Sequence, residues 1–433
     1  MSLRQYYIRK RNHSYRWIAL AGATIVYFVV SGIVYSYGVF LPVICDDLGL
    51  SRSVVAAPAT LAGEITAVVA PIVGISVVKF GARKNMIYGT ILLAAGVSLM
   101  YFVNHIWQLI FFRGVLITIG VGFSLLIPTT TVATNWFVKR RGLALGIITA
   151  SGGLGGFIFP LIIVVLISGI GWRWTWVSLG GMVLLLGTII GGLLMVRNKP
   201  QDMVETLDTG ITAADSELVS LTEFQSKVYQ TQTNWTTKDA VRTPVLWLIC
   251  VLWAANSFAL STIMLHHVAH IKDLGFSSNI AAISFGLVPG MSIIGRVASG
   301  ILSVRFEIRN LVVVFFALQV IALIVLTEAK SIELIYLYAV IYGVSYGALI
   351  TCILSMISAY FGQTNYAKIL GWVVTTGALF GALAPIIAGY IYDLRGSYNL
   401  AFIILISIAL VGLVSAFFAQ PPKLSSRTLD SQQ

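Results

Sequence analysis

Apolar and polar residues alternate along this chain on the scale of whole helices. Apolar windows at about 17 to 40, 53 to 77, 86 to 103, 108 to 132, 143 to 168, 173 to 196, 244 to 268, 281 to 304, 311 to 327, 333 to 358, 369 to 392 and 400 to 419 are separated by polar breaks. Each is close to the roughly 17 to 25 residues that cross a bilayer. Backbone groups in hydrocarbon find no water to bond, and the windows lack the roughly ten-residue alternating segments of a barrel strand. The pattern therefore predicts an all-α membrane protein of twelve transmembrane helices. Composition agrees: 58% of residues are apolar, 10% are charged and the mean hydropathy is +0.91, outside the range of soluble domains.

The pattern is also duplicated. Asp47-Leu48-Gly49-Leu50-Ser51 returns as Asp273-Leu274-Gly275-Phe276-Ser277, and Gly74, Val78, Lys79, Phe80 and Arg83 return as Gly300, Val304, Arg305, Phe306 and Arg309, both at an offset of 226. Gly146, Gly152, Gly156 and Pro160 return as Gly371, Gly377, Gly381 and Pro385 at 225. Three sets at nearly one offset predict two six-helix repeats, 17–197 and 244–420. A segment 1–16, a linker 198–243 and a tail 421–433 lie outside them. The linker holds seven acids and four bases among many Ser, Thr and Gln, and its 217–230 part is compatible with an amphipathic helix.

Charge sets the orientation. With both termini cytoplasmic, the 28 Lys and Arg divide into 21 inside, 5 outside and 2 within spans, a strong positive-inside bias. The net charge of +12 then lies against anionic lipid and requires no nucleic acid. The apolar run after the basic opening segment has no small-residue cleavage site and reads as a first span. Cys45, Cys250 and Cys352 are scattered and lack metal-ligand spacing.

The window 281 to 304 carries Arg296. A guanidinium at mid-membrane costs about 2.5 to 3.5 kcal/mol and does not escape by losing its proton. It lies roughly 12 Å from the polar end at Arg305, too deep to reach water comfortably. It is read either as an anion-binding fork facing an interior cavity or as a strut on backbone carbonyls. Tyr342 and Tyr346, at i and i+4 with Tyr338 one turn before, are candidates to line such a cavity, though the same spacing serves packing. Trp253 and Asn256, Tyr35 and Tyr37, and Trp372 and Thr376 are further candidates on other helices. Arg113 opens a Gly-rich run and reads as structural, and the glycines at 152 to 156 read as close helix packing. Glu64 is the one acid away from the ends of a window. His266 and His267, with His270, end the seventh helix, where histidine is either interfacial or a pH-sensitive gate. Glu64, His266 and His267 are the candidate proton-coupling groups.

Gly74 to Lys84, GISVVKFGARK, resembles the signature between the second and third helices of major facilitator superfamily transporters, with Val78 in place of its usual Asp. Trp136 to Gly146, WFVKRRGLALG, followed by Ser151-Gly152, is similar to the helix 4 to 5 signature of monocarboxylate transporters and their microbial relatives. Those relatives include the oxalate:formate exchangers, whose branch Asn198 to Met203 also resembles. The resemblance implies that Arg296 binds a substrate carboxylate and that Lys79, Arg83, Lys139, Arg140 and Arg141 form gate or structural elements. It departs where animal members pair that Arg with an Asp, here Ser292, and where they place a Lys in helix 1. The exchangers balance a dianion with a Lys in helix 11, whereas here Lys368 stands only at that helix's entrance.

The expectation is a cell-membrane carrier, not an enzyme, with no cofactor or metal. Its partners are a small monocarboxylate such as lactate or pyruvate, protons and the lipid bilayer, and it acts as a monomer. Exchange of carboxylates and a carrier-like sensor are the alternatives.

Overall fold

The computed structural model describes residues 3–137, 140–198, 229–231, 233 and 235–422. Lys139, most of the linker with 217–228 of its expected 217–230 helix, and the tail beyond 422 lie outside them, and the described 229–230 are not helical. The described chain is all-α and multi-pass, and eleven helical stretches are long and apolar enough to cross a membrane. The fifth, Arg141–Met195, has 55 residues, roughly 80 Å of helix and more than twice a bilayer. It breaks at Gly171, whose φ of 78° and ψ of 162° suit only a residue without a β-carbon. We label the helices α1 (Tyr15–Leu48), α2 (Arg52–Phe80), α3 (Ala82–Phe102), α4 (Ile106–Trp136), α5 (141–170) and α6 (172–195). The second half holds α7 (Pro244–Asp273), α8 (Ser278–Leu302), α9 (Ile308–Thr327), α10 (Ile332–Phe361), α11 (Tyr366–Arg395) and α12 (Asn399–Phe418).

The repeated glycines are where helices touch. A β-carbon on Gly146 of α5 would lie 2.7 Å from the Arg296 carbonyl of α8, and one on its repeat partner Gly371 of α11 would lie 2.8 Å from the Ala70 carbonyl of α2. Likewise a β-carbon on Gly300 would lie 2.7 Å from the Gly142 carbonyl, and one on Gly74 would lie 2.5 Å from the Ala367 carbonyl. Within the halves, Gly152 abuts Tyr27 as Gly377 abuts Trp253, and Gly156 abuts Tyr35 as Gly381 abuts Ser261. Each partner is shifted by 225 or 226, within one residue of the glycine's own offset, so the sequence repeat is also a repeat of contacts. The halves meet through α5 against α8 and α2 against α11. With little hydrophobic drive between helices in lipid, missing β-carbons let backbones approach closely enough to gain dispersion energy.

These contacts are not spread evenly. Lys79, Arg83, Lys84, Arg140, Arg141, Arg305, Arg309 and Lys368 cluster at one end of the helices, here called the basic face. Arg141 Nη1 donates across the halves to the Ser358 carbonyl (3.1 Å), the Thr149 and Thr351 hydroxyls meet at 3.0 Å, and Thr375 donates to the Ala67 carbonyl (2.9 Å). Among the described residues no side-chain hydrogen bond joins the halves nearer the opposite face than these and the Arg296–Thr149 bond. The halves are sealed at the basic face and part toward the other. Arg83 ties α3 to the end of α6, donating to the Gly192 and Leu193 carbonyls (3.3 and 2.6 Å). Lys79 rests over Phe80, and Arg140 is exposed.

Candidate functional site

Arg296 is 3% exposed and sits where both halves converge. Gly343 and Gly347 let α10 approach α8, and the Tyr346 ring comes to rest 5.8 Å from the Arg296 guanidinium carbon. From α5, the Thr149 carbonyl accepts from Nη1. From α1, Tyr27 and Tyr35 are its other electrostatic neighbours. Arg296 Nε has no acceptor, and no acid lies among these neighbours. Tyr35 is 44% exposed whereas Tyr27 and Tyr346 are buried, so the site opens on the Tyr35 side. A planar cation with one carbonyl and three phenols around it has unused donors in a fork, the geometry that one carboxylate fills.

Behind Arg296 runs an aromatic column. Tyr346, Tyr342 and Tyr338 follow one another at ring separations of 5.8 Å, and His267 of α7 stacks on Tyr338 at 5.5 Å. Ser284 Oγ donates to the Ala281 carbonyl (3.0 Å), so it accepts from His267 Nε2 (2.8 Å). Nδ1 then accepts from the Tyr338 hydroxyl (3.1 Å). For the neutral ring that network fixes the tautomer, with the proton on Nε2. The Tyr342 hydroxyl and Gln319 Oε1 are buried without partners, while Gln319 Nε2 donates to Asn256 Oδ1 (3.2 Å).

Several sequence candidates sit elsewhere. Tyr37 does not join Arg296: its ring lies 4.6 Å from the Arg113 guanidinium, and its hydroxyl donates to the Val55 carbonyl (2.6 Å). Asn256 serves Gln319 of α9. Trp372 is half-exposed on a stripe with Leu379, Leu383 and Ile386, and Thr376 bonds the Cys250 carbonyl of α7. Glu64 is exposed and shares its side of α2 with Val68 and Ile75, whereas Gly63, Ala67 and Gly74 face α11. His266 turns from His267 toward Tyr398 (3.1 Å) and the Pro385 carbonyl (2.9 Å). Tyr27 and Thr149 were not anticipated. The repeat pointed to Tyr27, which matches Trp253 at the offset of 226. Among the described residues no three His, Cys, Asp or Glu side chains are grouped to hold a metal.

The Major Facilitator Superfamily profile matches residues 23–332 and 309–433. The chain belongs to that superfamily. It is a multi-pass carrier of the plasma or inner membrane, working by alternating access, and not an enzyme. It is 25% identical to rat monocarboxylate transporter 13 over 399 residues, covering 92% of this chain and 87% of the relative. To the MFS-type transporter YhjX of Escherichia coli it is 24% identical over 375 residues, 85% of this chain and 86% of the relative. The fold matches the E. coli fucose:proton symporter FucP at a TM-score of 0.70, with 14% identity over 94% of this chain and all of that one. It matches the proton:xylose symporter XylE at 0.73, with 14% identity over 94% of this chain and 95% of the other.

Proposed function

We propose that this superfamily member carries small monocarboxylates, of which lactate and pyruvate are the type, by proton symport across a twelve-span, six-plus-six scaffold with both termini cytoplasmic. The basic face is then cytoplasmic, and the described conformation is open to the outside. The observation that carries the substrate reading is Arg296: a buried fork with an unbonded Nε, no acid beside it, and contacts to both halves. The monocarboxylate transporter relatives point the same way.

One carboxylate against Arg296 leaves the site neutral, whereas a dianion buries an uncompensated charge at a cost of several kcal/mol, with each 1.4 kcal/mol worth about tenfold in affinity. No second base stands among the residues around Arg296. Unlabelled lactate is therefore expected to displace a labelled monocarboxylate from proteoliposomes at concentrations orders of magnitude below those needed by oxalate or malonate. Equal competition by the dianions would refute the reading.

Of the three coupling candidates, His267 is the one that the column of tyrosines connects to Arg296. Glu64→Gln is expected to keep the wild-type pH dependence of uptake, and His267→Gln to flatten it. A pH profile changed by Glu64→Gln and untouched by His267→Gln would reverse these roles. Exchange is the second reading, because an empty site leaves Arg296 without a counter-charge and so slows return of the empty carrier. It predicts that lactate preloaded inside vesicles speeds uptake without a pH gradient.

A further inference from the structure

We propose that Arg113 and the face of Tyr37 form a second anion site, separate from Arg296, that takes one small monoanion of carboxylate or halide size. Arg113 is 8% exposed in α4. Its guanidinium lies 4.6 Å from the centre of the Tyr37 ring. Among the described residues nothing accepts a hydrogen bond from it and no acid pairs with it. The Tyr37 hydroxyl is committed to the Val55 carbonyl, so the phenol offers Arg113 only its ring. The acid Asp47 is held by Arg173 at 2.6 Å, and Glu64 lies on the exposed stripe of α2. A guanidinium keeps its proton even when buried, and five donors over an aromatic face are an incomplete coordination shell.

The local backbone is also unusual. Ile110–Ile117 is wound as a π-helix, with the Thr118 hydroxyl donating to the Arg113 carbonyl at 3.4 Å. Such segments are rare and gather at functional sites. Gly114 brings this turn against Leu61 and Pro58 of α2, so Arg113 sits in a wedge of α1, α2 and α4.

Two features separate this wedge from the Arg296 site. Tyr35 and Tyr37 are two residues apart and project roughly 200° apart around α1, so the cations they serve lie on different sides of that helix. Depth differs too: Arg113 lies seven residues into α4, roughly 10 Å, whereas Arg296 lies 18 residues into α8, roughly 27 Å, both counted from the parted face. An anion arriving from that face meets Arg113 first.

The test uses the full chain with Arg296→Gln, which removes the deeper cation. Sodium formate and sodium chloride are expected to raise its thermal unfolding midpoint saturably, because a ligand that binds only the folded state stabilises it. Sodium gluconate at equal ionic strength, a much bulkier monoanion, is expected to do nothing. The rise should vanish in Arg296→Gln/Arg113→Gln and survive, reduced, in Arg296→Gln/Arg113→Lys. Formate and chloride acting no better than gluconate, or acting equally on the double Gln variant, would overturn the proposal. Should the double variant not fold, bromide soaked into crystals of the wild-type chain decides: an anomalous peak in contact with the Arg113 guanidinium supports the site, and its absence refutes it.

Discussion

Arg296→Gln is expected to abolish carboxylate binding while leaving insertion and folding intact. Removing one partner of a buried, hydrogen-bonded charge pair costs about 2 to 5 kcal/mol, which is roughly 30- to 4000-fold in affinity. Glutamine retains a donor for the Thr149 carbonyl, so the seam between α5 and α8 survives. It also relieves the empty chain of an uncompensated buried charge, so the unliganded variant should be at least as stable as wild type. Lysine is expected to rescue poorly, since a point charge cannot hold two oxygens in the plane of a fork. Titration calorimetry with lactate, beside thermal unfolding of the empty proteins, checks both halves of this expectation. Unaltered lactate affinity in Arg296→Gln would end the anion-site reading and leave Arg296 as a strut between helices.

The membrane-spanning pattern was legible because a bilayer demands a minimum apolar length of every spanning helix, and the repeat because each half must make the same contacts. At the recurring glycines Gly74, Gly146, Gly300 and Gly371 a β-carbon would come within 2.5 to 2.8 Å of a backbone carbonyl of the other half. The burial of Arg296 was legible for a related reason, since a charge at that depth demands an interior. Neighbours were harder. Helical spacing says that Trp372 and Thr376, or Tyr342 and Tyr346, point in similar directions, but it does not say which direction is the interior. Thus Trp372 lies on an exposed apolar stripe while Tyr346 faces Arg296. Tyr35 and Tyr37 fail as a pair because they are two residues apart and diverge around α1. His266 and His267 diverge likewise, one toward α11 and the other into the aromatic column. Thr149 contributes through a backbone carbonyl, a group that every residue carries and that no sequence marks.

Gly146→Val is expected to shift the carrier away from the conformation described here and toward one open at the basic face. A β-carbon at this position would stand 2.7 Å from the Arg296 carbonyl and 3.3 Å from the Gly300 α-carbon, backbone atoms that no rotamer change moves aside. Helices α5 and α8 must therefore separate, and overpacking of this kind costs about 1 to 3 kcal/mol. In an alternating-access cycle, the contact between α5 and α8 at this end is present in one state and lost in the other. The cost falls on the sealed state alone, so the population ratio moves by about 5- to 150-fold. Gly295→Val is the control, because its β-carbon would lie 2.0 Å from the Val344 carbonyl of α10, a contact within one half that both states keep. It should lower thermal stability without changing the balance. In a background with Cys45, Cys250 and Cys352 replaced, a single cysteine at Ser358, which is 2% exposed beside Arg141, reports the seal. A membrane-impermeant maleimide added to the basic face should label it several-fold faster with Gly146→Val and at the parental rate with Gly295→Val. Equal rates in all three backgrounds would mean that the glycine seam between α5 and α8 is not the element that opens.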